Sequence, residues 1–134
     1  MSTHKVIVEF PGIAAEVQVE LYENTAPKTV QAILEKLPIK VKINRWGDEL
    51  YTDPMPVKVK EENAKSLVNK MDVAYWPQGQ GLCLFFGPTP ISKDNEIKPY
   101  SPVNVVGRIV SKENIAKLVD DSTSVIIRKY VIMI

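Results

Sequence analysis

Alternation of apolar and polar side chains recurs along the chain and predicts strands. Residues 15–22 alternate throughout, with their apolar members at the odd-numbered positions from 15 to 21. Residues 5–10 have a similar pattern, and the turn dipeptide Pro11-Gly12 separates the two stretches. We therefore predict that the chain opens with a β-hairpin.

One segment follows the period of a helix instead of a strand. Between residues 30 and 37 apolar side chains fall at i, i+3, i+4 and i+7, which gives a single buried stripe. Pro27 suits the first turn of such a helix, and Pro38 ends it. We predict an amphipathic helix between these prolines, with Thr25 as its N-terminal cap and its stripe packed on the core.

The rest of the chain consists largely of short, strand-like runs. The predicted strands lie at residues 39–44, 49–51, 57–59, 71–76, 82–86, 103–110 and 124–134. Gly47-Asp48 predicts a tight turn or a bulge between the first two of them. We also expect one or two helical turns within residues 61–69 and a short second helix at residues 113–119.

These elements predict a mostly β fold. About eight strands accompany one clear helix and a shorter one, a ratio that disfavours a parallel βαβ sheet and favours a barrel or a sandwich. Residues 88–102 contain four prolines and predict a long loop. Loops of that length inside a compact domain often carry function.

Length and composition indicate an ordinary globular domain. The 134 residues are 45% hydrophobic and 25% charged, so we expect one domain that spans residues 1–134. The net charge of +1 gives no strong field, and neither nucleic acid nor a membrane is expected as a partner. The sequence has no run typical of a signal peptide or a membrane span, so we expect a cytoplasmic location.

The chain has one cysteine, Cys83, and one histidine, His4, which restricts its chemistry. A single thiol excludes an intramolecular disulfide and a paired-cysteine metal site, and we expect Cys83 to be a small buried hydrophobe. A catalytic triad or a histidine metal site would have to recruit His4 from the end of the chain. We therefore expect no metal and no cofactor.

Aromatic residues and one arginine form the candidate site. Its members are Arg45, Trp46, Tyr75, Trp76, Phe85 and Phe86, together with Gln78 and Gln80 in the polar segment that follows Trp76. Aromatic surface beside a guanidinium can hold an apolar group and donate hydrogen bonds to a carbonyl. Burial in the core is the competing interpretation, above all for Phe85. Asp48 and Glu49 are expected to pair with basic side chains rather than to act as acids.

Several segments resemble cyclophilins and occur in the order found there. They are residues 19–22 (V-E-L-Y), 26–30 (A-P-K-T-V), 84–86 (L-F-F) and 105–110 (V-V-G-R-I-V). Residues 45–51 (R-W-G-D-E-L-Y) and 87–90 (G-P-T-P) are more closely similar to the small prokaryotic cyclophilin-like proteins, which are mostly uncharacterised. The resemblance implies a closed barrel of about eight strands with one or two capping helices.

The resemblance also implies roles for two residues. Cyclophilins isomerise X-Pro peptide bonds with an arginine near the prolyl carbonyl and an apolar pocket for the proline ring. By that resemblance Arg45 corresponds to the catalytic arginine and Phe86 to a pocket phenylalanine. Other positions differ, since Leu84 stands where cyclophilins have a glutamine, and residues 75–77 replace a segment of smaller residues.

The leading hypothesis is a cyclophilin-like binding module that lacks the family's complete isomerase site. Its groove would be lined, beside Arg45 and Phe86, by Trp46, Tyr75, Trp76, Gln78, Gln80 and Phe85, and its ligand would be a small molecule or a proline-containing peptide. The alternative is a weak peptidyl-prolyl isomerase that uses Arg45 and Phe86. A third hypothesis is a structural subunit anchored by Trp46 and the proline-rich loop, which leaves monomer and homodimer both open.

Overall fold

The computed structural model describes residues 3–111 and 114–131, and most of its regular structure is strand. The strands are β1 (Thr3–Phe10), β2 (Ala15–Tyr22), β3 (Ile39–Trp46), β4 (Glu49–Thr52), β5 (Asp72–Trp76), β6 (Gly81–Phe85), β7 (Asn104–Ile109) and β8 (Ser122–Lys129). The helices are α1 (Pro27–Lys36) and two short 3-10 helices, Pro11–Ile13 and Ile115–Lys117. None of the helices in these described residues is long and apolar enough to cross a membrane.

The eight strands close into one antiparallel barrel in the order β1-β2-β7-β5-β6-β4-β3-β8. The predicted hairpin of β1 and β2 is confirmed, with eight residue pairs in register from Thr3↔Tyr22 to Phe10↔Ala15. The predicted mostly β class and closed barrel are confirmed as well. Closure pairs every strand on both sides, which satisfies backbone groups that an edge strand would expose.

Apolar side chains from all eight strands fill the barrel interior. The largest of them with essentially no exposed surface are Phe10, Leu21, Ile43, Leu50, Tyr75, Leu82, Leu84 and Ile127. Because side chains alternate along a strand, Leu82 and Leu84 of β6 point inward while Cys83 and Phe85 point outward. The strand alternation read in the sequence thus separates an inner from an outer set of buried residues.

A second apolar cluster, the outer cluster, lies on the outside of β5 and β6. It consists of Val68, Ala74, Cys83, Phe85, Ile97 and Val103, with Tyr51, Trp76 and Val105 packed against it. The segment between β4 and β5 and the loop between β6 and β7 cover it, and the bridges Lys65↔Val103 and Val68↔Ile97 join these two segments. Both faces of this part of the sheet are therefore buried. The candidate site lies at the edge of the two segments that cover its outer face.

Helix α1 begins at Pro27 as predicted, but its predicted cap is wrong. Thr25 donates its hydroxyl to the Val105 carbonyl, 2.9 Å away, and does not cap the helix. The Glu62 carboxylate takes that role, because it accepts the amide hydrogens of Lys28 and Thr29 at 3.1 and 2.9 Å and the Thr29 hydroxyl at 2.8 Å. The cap therefore comes from a residue more than thirty positions along the chain.

Two other local predictions are wrong, because tertiary contacts override weak local signals. Residues 57–59 form no strand, since the Val59 amide and the Val57 carbonyl bond the Tyr75 hydroxyl instead of a neighbouring strand. Residues 61–69 contain no helix, because this segment is irregular and is bridged to the loop before β7. The predicted helix at residues 113–119 is a 3-10 turn at Ile115–Lys117, and Glu113 and the last three residues of the chain lie outside the described residues.

Candidate functional site

An open cavity, here called the aromatic pocket, lies on the outer face of the barrel beside the outer cluster. It is lined by Trp46, Glu49, Tyr51, Trp76 and Tyr100, and its volume is about 280 Å³. Four of these five residues are aromatic, and Glu49 is the only charged residue among them. The pocket therefore combines apolar walls with a single acidic group.

Strand register explains how four of the five lining residues come together. The turn Gly47-Asp48 pairs Trp46 directly with Glu49 across the β3–β4 hairpin. Tyr51 lies two positions after Glu49 and so shares its face of β4. Trp76 is the last residue of β5, and the fifth residue, Tyr100, comes from the proline-rich loop.

The aromatic rings are held in perpendicular pairs. Tyr100 packs edge-to-face against Trp46 and Trp76, with ring centroids 6.1 and 5.9 Å apart and interplanar angles of 69° and 74°. Tyr51 makes a similar contact with Trp76 at 6.2 Å and 86°. The Trp76 indole nitrogen also donates a hydrogen bond to Ser101 Oγ at 2.6 Å, which fixes its ring. The rings therefore line the pocket at steep angles to one another.

Glu49 is nearly inaccessible to solvent and has no ionic partner within the described ranges 3–111 and 114–131. Its side chain is 5% exposed, and its Oε1 atom is buried without a hydrogen-bond partner in this part of the structure. Burial raises the pKa of Glu49 to about 7, although a hydrogen bond from the Cys83 thiol lowers it. The expectation that Glu49 pairs with a basic residue is therefore wrong, whereas Asp48 does pair with Arg45, at 3.3 Å.

Cys83 lies beneath the pocket in the outer cluster. Its thiol is buried, and burial together with the neighbouring Glu49 carboxylate raises its pKa well above the ordinary value. A thiol in that state is a poor nucleophile. The prediction that Cys83 is a small buried hydrophobe is confirmed.

Arg45, the expected catalytic arginine, is engaged by the protein itself. Its Nε donates to the Gly47 carbonyl at 2.9 Å, and its Nη1 donates to the carbonyls of Ala116 and Val119 at 2.8 and 3.2 Å. Its Nη2 donates to Asp48 Oδ1 at 3.3 Å. Four of its five N–H groups thus have protein acceptors, which tie the segment before β8 to the β3–β4 turn.

Phe86 lies next to Arg45 and away from the aromatic pocket. The guanidinium carbon of Arg45 is 5.4 Å from the centre of the Phe86 ring, and Phe86 packs against the interior cluster. Arg45 pairs with Leu50 across the hairpin, so it lies on the face of the sheet opposite to Trp46 and Glu49. Arg45 and Phe86, the two residues implied by the resemblance, therefore lie next to each other, but they do not line the aromatic pocket.

The residues expected to bind ligand have several different environments. Trp46 and Trp76 line the aromatic pocket. Tyr75 and Phe85 have no exposed surface, the first in the barrel interior and the second in the outer cluster, which agrees with the competing core interpretation. The two glutamines, Gln78 and Gln80, lie in the turn between β5 and β6, and Gln80 donates to the Met55 carbonyl at 3.4 Å.

Sequence reasoning missed Glu49, Tyr51 and Tyr100 as members of the site. The first two had a usable signal, because a two-residue turn at Gly47-Asp48 pairs position 46 with position 49 and sets Tyr51 on the same face. Tyr100 had none, since nothing in its loop indicates which part of the sheet the loop covers.

Comparison with known proteins identifies the family. A family profile described as cyclophilin-like matches residues 4–128 of the chain. The chain belongs to the cyclophilin-like family. The resemblance seen in its motifs is thereby confirmed, and a similar archaeal protein of known structure agrees with the small prokaryotic branch.

Two solved structures show what the cyclophilin-like chain is similar to. The solution structure of the hypothetical protein AF2241 from Archaeoglobus fulgidus is 49% identical, with a TM-score of 0.78 over 95% of both chains. The structure of McbB in complex with tryptophan is 14% identical, with a TM-score of 0.70, and the match covers 96% of this chain but 46% of McbB. The second likeness shows the shared fold alone. Comparison with curated proteins gave no significant match.

Proposed function

We propose that this cyclophilin-like protein is a binding module for a small molecule and that the ligand occupies the aromatic pocket. The observation that carries the proposal is the enclosure of a buried carboxyl group, that of Glu49, by four aromatic side chains. Ligand sites typically combine apolar and aromatic walls with a few polar groups that fix the orientation of the ligand. The aromatic pocket has this composition.

The size of the pocket favours a small molecule over an extended peptide. A volume of about 280 Å³ lies just below the range of roughly 300–1,000 Å³ that is usual for ligand pockets. Extended peptides commonly add to an exposed strand edge, and the closed barrel has paired all of its strands on both sides. The ligand is therefore expected to be compact.

Intrinsic fluorescence provides a direct test. The chain contains two tryptophans, Trp46 and Trp76, and both line the aromatic pocket. We expect a panel of small organic molecules to include compounds that change tryptophan emission and raise the melting temperature. A panel that spans cationic, neutral and anionic compounds and changes neither quantity would contradict the proposal.

Removal of one pocket ring should weaken binding without unfolding the protein. Tyr100 is 67% exposed, so Tyr100→Ala removes a wall of the pocket but little of the core. We expect roughly three- to tenfold weaker binding of any compound found in the fluorescence screen, the loss of one aromatic contact. Tyr130→Ala is the matched control, because Tyr130 is also exposed and lies outside the pocket. Equal losses in the two variants would contradict binding in the aromatic pocket.

The alternative proposal is weak prolyl isomerase activity at Arg45 and Phe86. The contacts of Arg45 favour the binding module, because an arginine that already donates to three carbonyls and a carboxylate has little left to offer a substrate. We expect the wild-type protein not to accelerate isomerisation of a short proline-containing peptide. Acceleration that disappears in a folded Arg45→Lys variant would instead support the isomerase.

A further inference from the structure

We infer that the ligand of the aromatic pocket is a small organic cation with an alkylated ammonium head, held by the aromatic walls and by the Glu49 carboxylate as its counter-charge. This inference rests on the proposed function and adds the chemical class of the ligand. It is carried by two independent features of the pocket, the arrangement of its rings and the absence of a cationic partner for its buried carboxyl group in the described structure.

The first feature is the steep angle between neighbouring rings. The three contacts among Trp46, Tyr100, Trp76 and Tyr51 have interplanar angles between 69° and 86°. Rings arranged in this way cannot all stack on one flat molecule, but they can surround a compact, rounded group. The face of each ring carries a partial negative charge that attracts a cation within about 6 Å, as in the known recognition of quaternary ammonium groups. A tetrahedral alkylammonium head matches both the shape and the charge of these walls.

The second feature is the isolation of the Glu49 carboxyl group. It is 95% shielded from solvent, its Oε1 has no hydrogen-bond partner, and no salt bridge reaches it within the described ranges. The Cys83 thiol donates a hydrogen bond to the carboxyl group but brings no positive charge. A buried carboxylate without a counter-charge is costly, and an opposite charge placed nearby offsets that cost. Arg45, the basic residue closest in sequence, is already paired with Asp48. A cationic ligand would supply the missing charge.

Other ligand classes suit the pocket less well. A hard metal ion takes about six or more oxygen ligands, whereas the pocket lining offers one carboxylate and two phenols. An anion would meet the negative ring faces and Glu49 without any basic residue among the lining side chains. A neutral apolar compound would fit the walls but would leave Glu49 without a counter-charge.

Binding of a permanent cation should strengthen as Glu49 ionises. Of the titratable groups near Glu49, the Cys83 thiol from β6 donates a hydrogen bond to it, and the phenols of Tyr51 and Tyr100 line the same pocket; on β3 its direct neighbour is Trp46. Because burial raises the pKa of Glu49 to about 7, its charge changes between pH 5.5 and pH 8.5. Affinity for a cation should therefore rise across that interval, whereas affinity for a neutral isostere should not.

The test compares choline with 3,3-dimethylbutan-1-ol, its neutral isostere, by tryptophan fluorescence and calorimetry. At pH 8.5 we expect choline to bind at least about tenfold more tightly than the alcohol. We expect Glu49→Gln to abolish this preference, and we expect the wild-type preference to shrink at pH 5.5. The pH comparison on the wild-type protein keeps the inference testable even where Glu49→Gln fails to fold.

The possible outcomes separate this inference from the proposed function. Equal binding of choline and its isostere at both pH values would overturn the inference that the ligand is a cation, but the proposal of a small-molecule pocket would stand. Binding of neither compound, together with no response to the wider panel of small molecules, would overturn both proposals. A trimethyllysine peptide tested beside choline shows whether the ammonium head belongs to a small molecule or to a modified lysine. Much tighter binding of the peptide would overturn the inference that the ligand is a small molecule.

Discussion

Asp48 and Glu49 are adjacent in sequence, yet their carboxyl groups have opposite environments. Asp48 lies in the β3–β4 turn, where Arg45 reaches it, whereas Glu49 is the first residue of β4 and lies under the aromatic rings. A shift of one residue at the start of a strand changes the face on which a side chain lies. This difference of one position explains why Asp48, and not Glu49, forms an ion pair with Arg45.

Replacement of Glu49 by Gln should change how stability depends on pH. The pKa of Glu49 is raised to about 7 in the folded state by burial, above its value of about 4.3 in an unfolded chain. The folded state therefore binds more protons between these values, so Glu49 stabilises the protein below about pH 4.3, and this stability is lost as the pH rises to about 7. The loss is on the order of 3 kcal/mol.

Urea unfolding at pH 4.5 and pH 8 measures this effect as the difference between wild type and variant. We expect Glu49→Gln to lose less stability than the wild type over that range, because its side chain does not ionise. Glu96→Gln provides the control, since Glu96 is an exposed carboxylate on the proline-rich loop. Parallel pH profiles for the wild type and Glu49→Gln would show that Glu49 is not buried in its charged form.

At the scale of elements, helix α1 depends on a distant segment for its start. Glu62 caps the helix, while Asn104 of β7 accepts the Glu62 amide hydrogen at 2.8 Å and donates to Thr29 Oγ1 at 3.1 Å. These contacts connect the helix, the segment after β4 and strand β7. The segment predicted as helical therefore forms no helix, because its polar groups are used to bind neighbouring elements.

Replacement of Glu62 by Gln should destabilise the protein by about 0.5–2 kcal/mol, the usual effect of losing a helix cap. Although burial acts to raise the pKa of Glu62, hydrogen bonds from Thr29 and Lys28 lower it overall, so the carboxylate form is the stabilising one. Its contribution should thus be present at neutral pH and lost as the pH falls through the lowered pKa. Chemical denaturation at pH 7 measures the effect, and Glu61→Gln, at the exposed neighbouring residue, is the control. An equal loss in both variants would argue against the cap.

At the scale of the whole molecule, the barrel depends on close approach between β2 and β7. Gly107 pairs with Leu21 there, and a Cβ atom at position 107 would lie 1.8 Å from the Glu20 carbonyl oxygen. The backbone of β2 cannot move away easily, because β2 is also paired with β1 along its full length. Gly107 is thus required for the close pairing of β2 and β7 that closes the barrel.

Gly107→Ala should destabilise the barrel by at least about 2 kcal/mol, because the added methyl group meets backbone atoms. Thermal and urea unfolding measure the loss. Gly12→Ala is the matched control, because a Cβ atom there has no neighbour within 4 Å. Similar stabilities of the two variants would show that β2 and β7 can separate without cost.

The sequence by itself determined most elements of this protein and the face on which most side chains lie. Eight strands, the helix after Pro27 and the Gly47-Asp48 turn all follow from local periodicity and turn chemistry, which act over a few residues. Cys83 was predicted to be buried as a small apolar side chain, and it is buried. The resemblance of the motifs to cyclophilins predicted that the strands close into a barrel.

Only the tertiary structure decided which outward-facing side chains meet. Trp76 and Tyr100 join the β3–β4 hairpin because β6 lies between β4 and β5 and the proline-rich loop folds over them, and neither contact has a local signature. Arg45 was expected to serve a substrate, but the carbonyls of Ala116 and Val119 occupy it. Local patterns define the face of a strand, whereas the composition of a pocket depends on contacts between residues distant in sequence.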